Sequence, residues 1–197
     1  MTTGMRWRIF VLQVGLIGIL AFVAGFAFWG SNFATNQVQT QLAAQKISFP
    51  AANSPAITAL PAADAAAMKV YAGQQMTTGA QAETYADHFI KVHLSEVAKG
   101  QTYSQVSALS MADPTNTALA GQVQTLFRGE TLRGLLLNSY GWWQIGQYAF
   151  YAAIGLAIAS LAVLGAFLFE IVSWRRAVSK ERTTHLTAPS LRSAHPA

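Results

Sequence analysis

From Ile9 to Phe28 the chain runs for twenty residues without a charge, and Gln13 is the only clearly polar side chain. A helix of that length rises about 30 Å, the thickness of a bilayer's hydrocarbon core. A second apolar run extends from about Gln147 to Trp174 and holds one charged residue, Glu170, near its end. At that length the second span must tilt or protrude. Glu170 is expected to reach the interface and not to serve an intramembrane proton relay.

Aromatic residues bracket both runs, as expected for anchors at membrane interfaces: Trp7 and Trp29 around the first, Trp142, Trp143 and Trp174 around the second. Tyr140, Tyr148 and Phe150 join the group at the start of the second run. An interfacial belt explains that group, and a lipid or quinone headgroup site is the rival explanation. The first run exceeds the roughly 7–15 residues of a signal-peptide core and lacks a clear Ala-x-Ala site, so it is expected to stay as an anchor.

Charge supports the same picture. Hydrophobic residues make up 52% of the chain and charged ones only 11%, against about 25% charged in a typical soluble domain. Between Ser31 and Trp142 six basic residues (Lys46, Lys69, Lys91, Lys99, Arg128, Arg133) balance six acidic ones (Asp64, Glu83, Asp87, Glu96, Asp113, Glu130). The net charge of +5 therefore sits beside the apolar runs, on Arg6 and Arg8 and on Arg175, Arg176, Lys180, Arg182 and Arg192. Nucleic-acid binding needs a basic face on a folded domain, so no nucleic-acid partner is expected. Flanking arginines and lysines instead mark the cytoplasmic ends of spans. The expected topology has residues 1–8 in the cytoplasm, 9–29 as the first span and 30–142 outside. Residues 143–174 form the second span, and 175–197 form a basic cytoplasmic tail expected to be disordered. The location is the plasma membrane.

The middle segment reads as helical. A proline-rich linker near 47–63 carries Pro50, Pro55 and Pro61. Thr78 with Gln81, and Thr102 with Gln105, have capping-box spacing. They open helices expected over about 78–98 and 102–112. Asp113-Pro114 has the form of an N-cap followed by proline, opening a helix that Gly129, Gly134 and Gly141 are expected to kink or interrupt. No stretch alternates as a strand does. The fold class is thus all-α: two transmembrane helices with an extracytoplasmic helical bundle or hairpin between them.

Small residues recur on both spans, Ala21 and Gly25 on one and Ala149, Ala153 and Ala157 on the other. At spacing four they allow close helix packing, within the chain or against other membrane proteins. Candidate chemistry is sparse. Without cysteine, thiolate catalysis, disulfides and Cys-ligated metals are excluded. Ligand-type residues cluster only at Glu83, Asp87, His88, His93 and Glu96. On an unbroken α-helix His88 and His93 lie about 140° apart, unlike the spacing-four histidines of a zinc-binding helix. A solvated polar face with interhelical hydrogen bonds is expected there, and a metal or acid–base site using Glu83, Asp87, His88 and His93 is the alternative. Glu130 and Arg133 are placed for an i,i+3 ion pair. No cofactor, Gly-x-Ser-x-Gly elbow or phosphate-binding loop is found.

Three short segments carry a family resemblance: Gln41-Leu-Ala-Ala-Gln-Lys-Ile47, Tyr85-Ala-Asp-His88 and Lys99-Gly-Gln-Thr-Tyr103, followed by the second span. Over Arg6 to Arg176 the chain resembles a group of two-span actinobacterial membrane proteins of unknown function. Such proteins are often described as aromatic ring-opening dioxygenases. A non-haem iron oxygenase needs two histidines and a carboxylate on one face of the metal, and His88 and His93 diverge. The resemblance implies no functional residues. Taken together, these features lead to a non-catalytic membrane accessory or interaction protein, a subunit or assembly factor of a larger complex. The alternative is an extracytoplasmic metal binder or enzyme.

Overall fold

A computed structural model describes residues 3–187, with side chains over 4–179. Among the described residues there is no strand. Seven α-helices and one π turn follow in order: α1 (Thr3–Gln45), α2 (Pro55–Thr58), α3 (Ala62–Lys69), α4 (Gly79–Tyr85), the π turn (Ala86–Ile90), α5 (Lys91–Val97), α6 (Tyr103–Ala112) and α7 (Thr117–Thr187). The chain divides into two compact units, residues 3–26 with 152–187 and residues 27–151.

The first unit pairs the apolar parts of α1 and α7. Both helices are long and apolar enough to cross a membrane, and only 6% and 11% of their most apolar stretches is buried. A core helix of a soluble protein buries most of such a stretch, so these surfaces suit an apolar solvent. The seam between them is narrow. Ala24 is buried on α1, as are Ala153 and Ser160 on α7. Phe10 meets Phe167 edge-on with centroids 5.6 Å apart, and Ser160 Oγ donates to the Ile17 carbonyl at 3.4 Å.

In the second unit the ends of α1 and α7 pack with the short helices around one core. Val38 and Leu42 from α1 join Leu126 and Leu136 from α7 and Ile57, Met68, Met76, Ala86, Ile90, Leu94 and Val106 between them. The proline-rich linker is therefore partly ordered, and it supplies the fully buried Ile57. α3 follows Pro61 directly, with Asp64 in its first turn and Lys69 in its last, both complementing the helix dipole. An isolated bridge, Ser48 to Gln75, closes the linker: Met76 N–H donates to the Ile47 carbonyl and Phe49 N–H to the Gln74 carbonyl, both at 2.8 Å.

Both capping boxes form, at Thr78/Gln81 and Thr102/Gln105. Lys99, at φ 52°, occupies the left-handed position that closes α5, while Lys99 and Gly100 N–H groups bond back to Glu96 and Ser95 carbonyls, a Schellman closure. Three expectations need correction. Asp113 ends α6 instead of opening α7, and its carboxylate accepts from Thr115 Oγ1 and Asn116 Nδ2. Asn116 is the cap of α7, accepting from Leu119 N–H at 3.1 Å. α7 is uninterrupted through Gly129, Gly134 and Gly141. Strong helix formers flank Gly129 and Gly134, and Gly129 seats the Leu94 side chain. Finally, the tail expected to be disordered is helical from 175 to 187, since no breaker precedes Pro189; residues 188–197 lie outside the described residues.

Candidate functional site

The residues with the most chemistry lie on or beside the π turn, in the second unit. A π turn adds one residue to the α register, turning later side chains back by about 100°. The 140° separation expected for His88 and His93 assumed an unbroken α-helix and does not apply here. The two histidines nonetheless go to different partners. His88 Nδ1 pairs with Asp64 Oδ1 of α3 at 2.8 Å. His93 Nδ1 bonds the Phe89 carbonyl at 2.8 Å, with its ring 4.5 Å from that of Phe89.

Asp87, one residue before His88, is held from α7. Arg133 Nη2 and Nε donate to Asp87 Oδ1 at 2.7 and 3.2 Å, and Arg133 Nη1 reaches Glu130 at 3.4 Å. The hydrogen bond to Asp87 is the main influence raising the Arg133 guanidinium above its ordinary value. The i,i+3 pair is thus present but secondary to a longer-range clamp. Burial raises the Tyr85 hydroxyl above its usual value of 10.0. Tyr85 packs edge-on against Phe49 at 5.3 Å and beside Phe89 at 4.8 Å.

An open cleft of about 510 Å³ runs alongside, lined by Asp64, Asp87, Lys91, Ser95, Glu96 and Lys99 among others. Its two carboxylates nearest the π turn are already matched by His88 and Arg133. Among the described residues no group of three His, Asp or Glu side chains is placed to hold a metal ion. Glu83 is half-buried on α4, and Glu96 is exposed on α5. Sequence reasoning did not pick out Asp64, because its partner is 24 residues away.

The candidate membrane residues divide by exposure. Trp7, Trp29, Trp142 and Trp174 are exposed. Trp143 is half-buried instead, with its Cβ against Gly79. Of the small residues, Ala153 is buried and Ala149 half-buried, whereas Ala21, Gly25 and Ala157 face outward. Ala24, beside Ala21, is the one that enters the seam. Glu170 accepts a hydrogen bond from Gln13 Nε2 at 3.2 Å, and a small cavity of about 180 Å³ nearby is lined by Arg6, Phe10, Glu170 and Trp174. No family model, no curated protein and no solved structure matches the chain.

Proposed function

We propose that the chain is a non-catalytic accessory subunit or assembly factor of a larger complex in the plasma membrane, related to the two-span group it resembles. Both termini lie in the cytoplasm, and residues 30–142 lie outside. Flanking arginines and lysines support that orientation through the positive-inside rule. The observation that carries the functional assignment is the outward face of the two apolar helices. Ala21, Gly25 and Ala157 point away from the seam, and nothing lies within 4 Å of where a Gly25 side chain would sit. Small residues exposed on an apolar helix admit a second helix at close range. Outside the spans, Tyr103, Leu109, Met111 and Phe127 are exposed apolar side chains of α6 and α7, suited to protein contact.

The test is a pull-down of a C-terminally tagged copy from its native membrane in mild detergent, with proteins and metals both quantified. A stoichiometric partner that is lost when Ala21 and Gly25 are both changed to Leu supports the assignment. A lone protein carrying bound metal, released by His88→Ala/His93→Ala, replaces it with the metal-binding alternative. Orientation is checked separately. Cysteines introduced singly at Ser104 and Ser179 label from opposite sides of the membrane, and labelling of both from outside refutes the topology.

A further inference from the structure

Just beyond Trp29, α1 and α7 border a groove of about 280 Å³. Phe33, Gln37 and Gln41 enter it from successive turns of α1, and Asn138, Ser139 and Trp142 from α7. No charged residue lines it. The carboxamides of Gln37, Gln41 and Asn138 make no hydrogen bond to the chain among the described residues. Phe33 and Trp142 are each 56% exposed, and Trp29 stacks on Phe33 with centroids 5.7 Å apart and planes 20° apart.

That combination selects a ligand chemistry. A carboxamide both donates and accepts, matching a hydroxyl that does the same. Exposed aromatic faces receive the C–H side of a sugar ring. A phosphate or carboxylate group calls for arginine or lysine, and the lining has neither. Size and position narrow it further. The volume falls below the roughly 300–1,000 Å³ of pockets that enclose a whole small molecule, so a headgroup fits and acyl chains do not. Phe33 lies one helical turn, about 5–6 Å, beyond Trp29, within the roughly 5–7 Å headgroup layer on each bilayer face.

We propose that this groove binds the uncharged, hydroxyl-rich headgroup of a glycolipid in the outer leaflet. The assignment rests on the membrane placement given above, though not on the identity of any protein partner. The aromatic rings hold the sugar nearest the membrane, and Gln37, Asn138 and, one turn further out, Gln41 hydrogen-bond hydroxyls along the headgroup. The lipid chains remain in the bilayer.

The full-length protein, purified in a detergent without a sugar headgroup, is reconstituted in phosphatidylcholine nanodiscs with equal mole fractions of diglucosyldiacylglycerol and phosphatidylglycerol. Lipids retained on release are counted by native mass spectrometry. The expected result is a roughly tenfold preference for the glycolipid, corresponding to one or two net hydrogen bonds. Gln37→Leu/Asn138→Leu abolishes that preference while circular dichroism stays unchanged. A competition on wild type needs no variant: dodecyl maltoside displaces the glycolipid, and free maltose at the same concentration does not. Equal retention of both lipids, a preference that survives in the folded double variant, or displacement by free maltose as effective as by the maltoside each overturns the proposal. A failed partner pull-down leaves the lipid count untouched, so the two assignments fail separately.

Discussion

Substituting Gly79 by alanine sets local helix preference against packing, and the structure says which prevails. Gly79 is the first residue of α4, where alanine is the better helix former, worth up to about 0.5–1 kcal/mol in a helix interior. A Cβ built there, however, comes within 2.3 Å of Trp143 Cβ and 2.6 Å of its Cγ. Ordinary carbon contacts lie at about 3.5–4.0 Å, so more than an ångström of separation has to be found. Trp143 Cβ is bonded directly to the α7 backbone and cannot swing aside, so helix must move from helix. With an immobile Cβ at 2.3 Å the upper part of the overpacking range applies, about 2–3 kcal/mol, which leaves a net loss of about 1–2 kcal/mol. At about 2–4 °C per kcal/mol for a chain of this size, Gly79→Ala lowers Tm by roughly 2–8 °C. Two other glycines calibrate the assay. Gly134 has open space around its missing Cβ, so Gly134→Ala raises Tm. At Gly129 the obstacle is the Leu94 Cδ2 methyl at 2.3 Å, the far end of a rotatable side chain, so Gly129→Ala falls between the two. Thermal melts of the full chain in one detergent, followed by far-ultraviolet circular dichroism, give the order. A Gly79→Ala protein melting at or above wild type refutes the contact between α4 and α7.

Replacing Lys99 by glycine relieves a left-handed backbone position, and it raises stability by about 0.5–1 kcal/mol in the same melts; an unchanged or lower Tm contradicts the Schellman closure. Arg133→Met removes the clamp on Asp87 and costs about 1–3 kcal/mol, whereas Glu130→Ala costs about 0–0.5 kcal/mol; equal losses in denaturant titrations would show that the clamp from α7 to the π turn contributes nothing. Tyr85 stays neutral more readily in the native state than in the unfolded one, so its contribution is complete below pH 10 and declines as pH rises above it. Wild type therefore loses more stability than Tyr85→Phe between about pH 9 and pH 11, and parallel pH profiles for the two proteins count against burial of that hydroxyl.

Features encoded within a few residues were legible in the sequence. Each apolar run is a local pattern, and so is each capping box, with donor and acceptor three positions apart. Asp113-Pro114 shows where local reading stops, because one dipeptide fits both an N-cap and a turn. Only the competition from Asn116 decides between them. α3 was hidden by its alanines, which give no amphipathic stripe. The π turn has no local signature at all. It goes with contacts to elements 24 and 46 residues away, Asp64 and Arg133, and a single sequence does not announce such pairs. The glycines of α7 were misread for a related reason. Gly129 admits the side chain of Leu94, 35 positions earlier in sequence, while nothing lies within 4 Å of the missing Cβ at Gly134 or Gly141, and the helix carries both without a break. The resemblance segments Tyr85–His88 and Lys99–Tyr103 fall on the π turn and on the join between Schellman closure and capping box, so their visible role is to shape the backbone.

The bond between Gln13 and Glu170 bears on how such a chain enters a membrane. Under the proposed membrane placement, synthesis delivers α1 first, and Gln13, the lone clearly polar side chain of its apolar run, enters the bilayer at modest cost. α7 brings Glu170 157 positions after Gln13, near the end of its apolar stretch, where a carboxyl group gains from having a polar partner. By then an amide is waiting for it on the helix already in place. In that placement the first helix offers the second a polar partner, and Gln13→Leu is expected to leave insertion of α1 unchanged while lowering that of α7.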